Sequence, residues 1–193
     1  MNRLFEMIIA LSGLMILWPV FLVIALFIKA DSPGPVFYRG KRAGREGRLF
    51  DMLKFRTMVP EASGIGPPIT TNQDVRVTRI GRFLRKTKLD ELPQLINIIR
   101  GDMKFVGPRP ESPDIVSRYT PEQQAIIQYR PGVTSPASIL YREEESMIPS
   151  DQWETVYMQK ILPKKLQLDL DYMKQANLWS DTRVILKTIG VIK

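Results

Sequence analysis

The sequence predicts an α+β, helix-rich chain: a proline-kinked, re-entrant N-terminal membrane helix, a small β-hairpin or sheet, and amphipathic interfacial helices. Three observations lead there. Residues 7–28 form an uncharged run of twenty-two positions. Two β-prone runs, 36–42 and 48–58, flank Ala43-Gly44-Arg45-Glu46-Gly47, a hairpin signature. From Val75 onward, apolar and basic residues recur at helical spacing.

Composition narrows the chemistry. A chain of 193 residues can bury a real core, and its formal charge of +8 points to an anionic partner: nucleic acid, an anionic membrane surface or a phosphorylated substrate. There is no cysteine and no histidine. Disulfide frameworks, thiolate metal sites and histidine-based triads are therefore excluded. Any metal must be a hard cation held by oxygen, with Mg²⁺ the first candidate.

As a straight helix, residues 7–28 would measure about 33 Å, enough for a hydrocarbon core of ~30 Å. Pro19 near the centre removes a backbone hydrogen bond and favours a kink. Basic residues flank the run on both sides: Arg3 before it, and Lys29, Arg39, Lys41, Arg42, Arg45 and Arg48 after it. Positive charge stays cytoplasmic, so the expectation is a helix that enters the membrane and leaves by the same face. The division is residues 1–30 for this helix and 31–193 for a cytoplasmic-face domain, the two forming one structural unit. The run is too long, and lacks a cleavage site, for a secretory signal. A buried helix of a soluble core would be unusually apolar all round.

Asp31-Ser32-Pro33-Gly34-Pro35 is a turn-rich break. In a strand over 48–58, Lys54 and Arg56 share one face, placed to grip a diphosphate; a solvated strand face accounts for the same spacing. Residues 60–73 read as a loop, either a lid or a connector. Arg79, Arg82, Arg85 and Lys86 then line one helical face opposite Ile80, Phe83 and Leu84. Thr87-Lys88-Leu89-Asp90 matches an [ST]-x-x-[DE] capping pattern, opening a helix that runs to about Arg100 and stops at Gly101. On it Asp90 and Gln94 share a face, flanked by Glu91. A carboxylate at a helix start is held ionised by the dipole, and an ionised carboxylate is what an acyl-phosphate-forming nucleophile requires. An ordinary acidic first turn has the same spelling. Asp90 and Glu91 follow six cations within thirteen residues (Arg76, Arg79, Arg82, Arg85, Lys86, Lys88), a juxtaposition that suggests phosphate chemistry.

Val106-Gly107-Pro108-Arg109-Pro110 fixes one arginine between two prolines, pre-organised for bidentate anion binding. Thr120-Pro121-Glu122-Gln123 opens a helix ending near Tyr129, and Asp151-Gln152-Trp153-Glu154 caps another that Pro163 interrupts. Residues 181–192, preceded by Trp179, suit either a membrane interface or core packing.

Five ordered motifs carry a resemblance over nearly the whole chain. They are Lys54-Phe55-Arg56-Thr57-Met58; Asp74-x-Arg76-x-Thr78-Arg79-x-Gly81; Leu89-Asp90-Glu91-Leu92-Pro93-Gln94-Leu95-x-Asn97; Gly101-Asp102-Met103-x-x-Val106-Gly107-Pro108-Arg109-Pro110; and Arg130-Pro131-Gly132-Val133-Thr134. Together they resemble the bacterial sugar transferases, monotopic polyprenyl-phosphate phosphoglycosyl transferases, at about the size of the minimal catalytic unit. The resemblance implies transfer of a phospho-sugar from a nucleotide sugar, usually a UDP-sugar, to polyprenyl (undecaprenyl) phosphate. This is the first membrane step of a bacterial glycoconjugate or polysaccharide pathway, at the cytoplasmic face of the inner membrane. By position Asp90 is the nucleophile and Mg²⁺ contact, with UMP leaving and an aspartyl phospho-sugar intermediate, and Glu91 assists. Lys54, Arg85 and Arg109 match phosphate-holding or bracing positions; Arg56, Arg76, Gln94, Arg130 and Arg142 complete the binding set. Membrane lipids are expected partners, and a homodimer is left open.

One segment departs from the family pattern. Where many relatives continue Gly-x-Ala-Gln-Val and Gly-Arg-Asn, this chain has residues 135–145 ending in Arg142-Glu143-Glu144-Glu145, which bears on nucleotide or sugar preference. Two other function classes were weighed. An inactive membrane scaffold would have lost the Asp-Glu pair or the Gly-Pro-Arg-Pro turn, and both are intact. A nucleic-acid binder would interleave aromatics with its cations or carry a docking motif, and neither is present.

Overall fold

The uncharged run folds as one helix, α1 (Arg3–Asp31), capped by the Asn2 side chain, which accepts the Leu4 N–H. In this computed structural model, which describes residues 2–62, 65, 69–71 and 74–191, Pro19 lies inside α1. Glu6, Ala10, Ile24 and Ile28 are buried. Their spacing places them on one stripe, which lies against the rest of the chain from the first turn to the last. The remaining faces expose Ile8, Met15, Ile16, Trp18, Leu22 and Leu26.

After the turn, β1 (Phe37–Ala43) and β2 (Leu49–Phe55) form the expected antiparallel hairpin, with Phe37 opposite Phe55 and Ala43 opposite Leu49. The connection is a short 3₁₀ turn, Arg45–Gly47. The second strand is shorter than the predicted 48–58. Beyond Phe55 the chain turns away, and Met58 forms only an isolated bridge with Val77. At this point the Arg56 N–H donates to the Val36 carbonyl, and its guanidinium reaches back to donate to the Ser32 and Pro33 carbonyls at the end of α1.

The outer edge of β2 is closed by a side chain. Asn97, on α3 (Gln94–Arg100), accepts the Leu53 N–H at 2.9 Å and donates to the Asp51 carbonyl at 2.8 Å. Its amide thus stands in for a neighbouring strand, satisfying backbone groups that would be costly to bury unpaired. This contact sets the distance between the hairpin and α3.

Between them lies α2 (Arg79–Thr87), capped by Thr78. Gly81 lets this helix rest on the Thr57 backbone, since a Cβ there would sit 2.0 Å from the Thr57 oxygen. The helix ends at Lys88, whose φ of 59° is left-handed. The expected capping box at Thr87 is therefore not formed. Thr87 closes α2 with its hydroxyl donated back to Phe83 and Leu84. A 3₁₀ turn, Leu89–Glu91, then carries the two carboxylates, and α3 follows from Pro93 and ends at Gly101 as expected.

A second, parallel pair joins β3 (Lys104–Val106) to β4 (Gly132–Thr134). Gly107 and Gly132 touch backbone to backbone. The C-terminal half packs helically: α4 (Pro113–Val116), α5 (Pro121–Gln124), which opens at Thr120 as expected and there forms a Thr120–Gln123 capping box, and α6 (Pro136–Leu140). A π-helical stretch, Thr155–Ile161, leads into α7 (Leu162–Gln175), and α8 (Leu178–Thr188) closes the fold. Pro163 thus does not interrupt its helix. It sits in the first turn of α7, and the wider π turns before it accommodate the missing N–H. Of the apolar residues expected along 181–192, Val184 is buried and Ile189 exposed, while Ile192 lies outside the described residues.

One apolar cluster joins Ile115, Tyr119, Ile126, Ile148, Tyr157, Ile161, Leu162 and Leu166. A second joins Ala10 of α1 to Phe50, Met52, Ile98 and Met103, and a third joins Ile24 and Ile28 to Phe55 and Leu84.

The Gly107–Gly132 contact gives a test. Gly132→Ala would set a Cβ 2.1 Å from the Gly107 nitrogen. The expected cost is about 3 kcal/mol, at the upper end of overpacking effects. A denaturant titration of the two proteins checks it.

Candidate active site

Asp90 and Glu91 are adjacent in the chain and differ in environment. The Glu91 carboxylate is held by Lys54 from β2, 2.9 Å from Oε1, and by Arg109, 2.7 Å from the same oxygen. Burial alone would raise its pKa, but the Arg109 and Lys54 charges outweigh burial and hold Glu91 well below the usual carboxylate range. Arg109 is in turn pushed up by Glu91. Lys54 is pushed down by burial, against the opposing pull of Glu91.

Asp90 is 4% exposed, and its nearest cation, Lys54, stands 3.9 Å from Oδ2. Burial pushes the Asp90 carboxyl up, more than the Lys54 charge pulls it down. The expectation that a helix dipole holds it ionised therefore gives way: Asp90 sits in the 3₁₀ turn, ahead of α3, where loss of water dominates. Its Oδ1, and both polar atoms of the Gln94 amide, are buried without a hydrogen-bond partner.

This donor set bears on Mg²⁺. Among the described residues no three carboxylates converge on a point. An unpartnered carboxylate oxygen fits an ion that takes one or two carboxylates and completes its shell with water and substrate phosphate.

In front of the pair opens a cavity of about 480 Å³. Leu92, Leu95, Phe105, Val133 and Ile139 supply an apolar wall, and Glu91, Arg109, Arg142, Glu144, Lys165 and Lys187 a charged one. Leu89 and Glu91 line it, whereas Asp90 between them does not. Arg85 stands behind the segment after α6, donating to Glu145, Thr57 and Thr70.

Of the residues singled out in the sequence, Lys54, Asp90, Glu91 and Arg109 meet directly, and Arg142 joins them across the cavity. Three arginines lie elsewhere. Arg56 anchors the end of α1, as above. Arg76 pairs with Asp74 and donates to the carbonyls of Ala62, Ile65 and Ile69, gathering the loop around itself. The reading of residues 60–73 as lid or connector otherwise falls on positions 63–64, 66–68 and 72–73, which lie outside the described residues. Arg130 lines a separate cleft with Arg45 and Tyr129, and its carbonyl rather than its guanidinium approaches Gly107.

Sequence reasoning missed Asn97, Lys165 and Asp169. Asp169 on α7 is buried and accepts the Ala137 N–H at 3.0 Å, so it ties α7 to the first turn of α6. An isolated aspartate in an amphipathic helix carries no signal of this; only its lying one turn after Lys165 on the same helix face hints at a shared role. Burial raises Asp169 to about 6, against that hydrogen bond and the Lys165 charge.

Because the folded-state value is raised, its stabilising contribution is complete below about pH 4 and is lost as pH rises through about 6. Asp169→Asn should therefore gain on the wild type between pH 4.5 and 8 by roughly 2–3 kcal/mol. Melting curves of both proteins across that range show it as a widening difference in Tm.

Residues 1–193 match the family model described as bacterial sugar transferase. The chain is 39% identical over 191 residues to a UDP-glucose:undecaprenyl-phosphate glucose-1-phosphate transferase of Xanthomonas campestris pv. campestris, covering 95% of this chain and 37% of that protein. It is 39% identical over 174 residues to a protein of the same name from Caulobacter vibrioides, covering 89% and 61%. Over 194 residues it is 32% identical to a UDP-N-acetylgalactosamine-undecaprenyl-phosphate N-acetylgalactosaminephosphotransferase of Aeromonas hydrophila, covering 99% and 43%. The chain thus spans only part of these relatives' length, under two thirds in each case. With Lys54, Asp90, Glu91 and Arg109 brought together from three of its motifs and its whole length matched, this chain belongs to the bacterial sugar transferase family.

Proposed function

We propose that this chain is a phosphoglycosyl transferase that moves a sugar phosphate from a UDP-sugar to undecaprenyl phosphate. The observation that carries this reading is the Asp90–Glu91 pair: one carboxylate locked in place by two cations, its neighbour buried with an unpartnered oxygen, beside a cavity of nucleotide-sugar size. The names of the relatives supply the donor and acceptor classes.

In the first displacement an Asp90 oxygen attacks the sugar-bearing phosphorus, the bond to the bridging oxygen breaks, and UMP leaves. In the second, an oxygen of the lipid phosphate attacks that phosphorus and the Asp90 carboxylate departs. Each step forms one P–O bond and breaks one, so the polyprenyl diphospho-sugar is produced without a redox partner. The attack calls for Asp90 to be ionised and turned toward the cavity. Glu91, fixed by Lys54 and Arg109, holds the turn in place and keeps both cations beside the diphosphate. Arg109 and Arg142 then face the charge that accumulates as a carboxylate approaches phosphate. Mg²⁺ bound through Asp90 and the diphosphate would supply Lewis-acid stabilisation of that charge.

The membrane part of this reading rests on α1. Its buried stripe follows the domain from Glu6 to Ile28, while the opposite faces are apolar and exposed. A helix held along its length by a charged domain suits insertion from one side, with the domain at the cytoplasmic face, better than a perpendicular crossing. An accessible tag ahead of Arg3 should then stay cytoplasmic in intact cells, and periplasmic labelling of that tag would refute the one-sided arrangement.

Purified protein with Mg²⁺ and undecaprenyl phosphate is expected to release UMP from at least one UDP-sugar and to stop when the metal is chelated. Asp90→Asn should abolish release, a loss of at least about a thousandfold, since it removes the nucleophile. The same variant should melt a few degrees higher at pH 7.5, because a buried carboxylate that resists ionisation becomes a neutral amide. A stable wild type that releases UMP from no donor would favour an inactive scaffold.

A further inference from the structure

A second charged group shares the cavity with Glu91, and the mechanism above does not use it. Lys165 on α7 is buried, with its ammonium 2.6 Å from Glu144 Oε2 and 3.9 Å from Glu111 Oε1. The same nitrogen stands 5.3 Å from the centroid of the Tyr157 ring, and the Tyr157 hydroxyl donates to Glu111 at 2.5 Å. Of these four residues, Glu144 and Lys165 line the cavity and the other two stand behind them. The pair is thus a preformed acceptor and donor, held from the rear by a carboxylate and an aromatic face.

We propose that Glu144 and Lys165 read the hydroxyl groups of the donor's sugar. The inference rests on the UDP-sugar reading of the cavity and assigns its two ends by charge. Glu91 carries one negative charge against the two positive charges of Lys54 and Arg109, and Arg142 adds a third, so that side attracts the diphosphate. Glu144 and Lys165, by contrast, offset each other and offer it no net attraction. The sugar is neutral and offers hydroxyls that both donate and accept, so it can face a paired carboxylate and ammonium with no charge penalty. A Lys165 ammonium with one hydrogen bond to Glu144 has further N–H donors to offer, while Glu144 retains acceptor sites. An epimer that misdirects one hydroxyl leaves a buried polar group unpaired, and discrimination of that kind is strong. The Glu145 carboxylate next in the chain is already committed to Arg85.

The test uses the full chain in detergent with Mg²⁺ and undecaprenyl phosphate. kcat/KM is measured for UDP-glucose, UDP-galactose, UDP-N-acetylglucosamine and UDP-N-acetylgalactosamine, and the affinity for UDP alone is measured beside it. Glu144→Gln preserves shape and serves as the primary variant; Lys165→Met is the second. The expected result is a change of about tenfold or more in the ratio between the best and next-best donors. UDP, which has no sugar, should bind as it does to the wild type. Ratios unmoved within about twofold in a folded Glu144→Gln variant, or an equal loss of affinity for UDP and every UDP-sugar, would overturn the assignment while leaving the transferase reading intact. A wild type that neither binds UDP nor turns over any donor would remove that reading and this inference together.

Discussion

The Glu91 carboxylate, half-buried between Lys54 and Arg109, is the interaction on which the rest of the site depends. Each partner comes from a different part of the chain: Lys54 from the hairpin, Glu91 from the turn after α2, and Arg109 from the turn after β3. Taking three charges out of water is expensive, and such a cluster contributes little net stability. What it contributes is position. Any of the three moving alone would strand a buried charge, so the three segments are tied to one geometry.

That tie is reinforced by contacts with no charge in them. Asn97 closes the edge of β2 and so fixes the hairpin against α3, bringing Lys54 to the carboxylates. Gly81 lets α2 lie on the Thr57 backbone, and Gly107 against Gly132 brings the Arg109 turn alongside β4. In these places a side chain would hold the backbones apart. Asp169 ties α7 to this frame by accepting the Ala137 N–H at the start of α6.

Within that frame, two neighbouring acids are driven apart. Glu91 has two cations and is ionised; Asp90 has one at a longer distance and is deprived of water. Pairs of titratable groups whose surroundings separate their pKa values are a recurrent way of dividing roles at one site. Here Glu91 is the member tied to two cations, and Asp90 is the member that keeps an unpartnered oxygen. The same division extends to α1, whose one stripe belongs to the domain core while its other faces match no part of it.

The local features were legible in the sequence because they depend on near neighbours. The apolar run, the hairpin around Gly44–Gly47, the Thr120 capping box, the stop at Gly101 and the Asp-Glu pair all follow from spacing or turn chemistry. So did the grouping of Lys54, Asp90, Glu91 and Arg109, through their ordered motifs. Which cation serves which role was not legible, because a guanidinium reaches far and its partner is chosen by tertiary packing. Lys54 and Arg56 are two residues apart in a β-prone run, yet one holds Glu91 and the other holds the end of α1. Arg76 and Arg130 spell a basic motif as well as Arg109 does, and only the folded chain sends the first to loop carbonyls and the second to another cleft. The start of α3 was misplaced for a similar reason: Thr87 caps nothing because α2, seated on Thr57, already claims it. Asp90's resistance to ionisation also has no local signature, since burial is a property of everything packed around it. The sequence alone determined the elements that depend on near neighbours and the ordered motifs that mark the family; the tertiary structure decided which charges meet, because desolvation and ion pairing act between segments that only folding brings together.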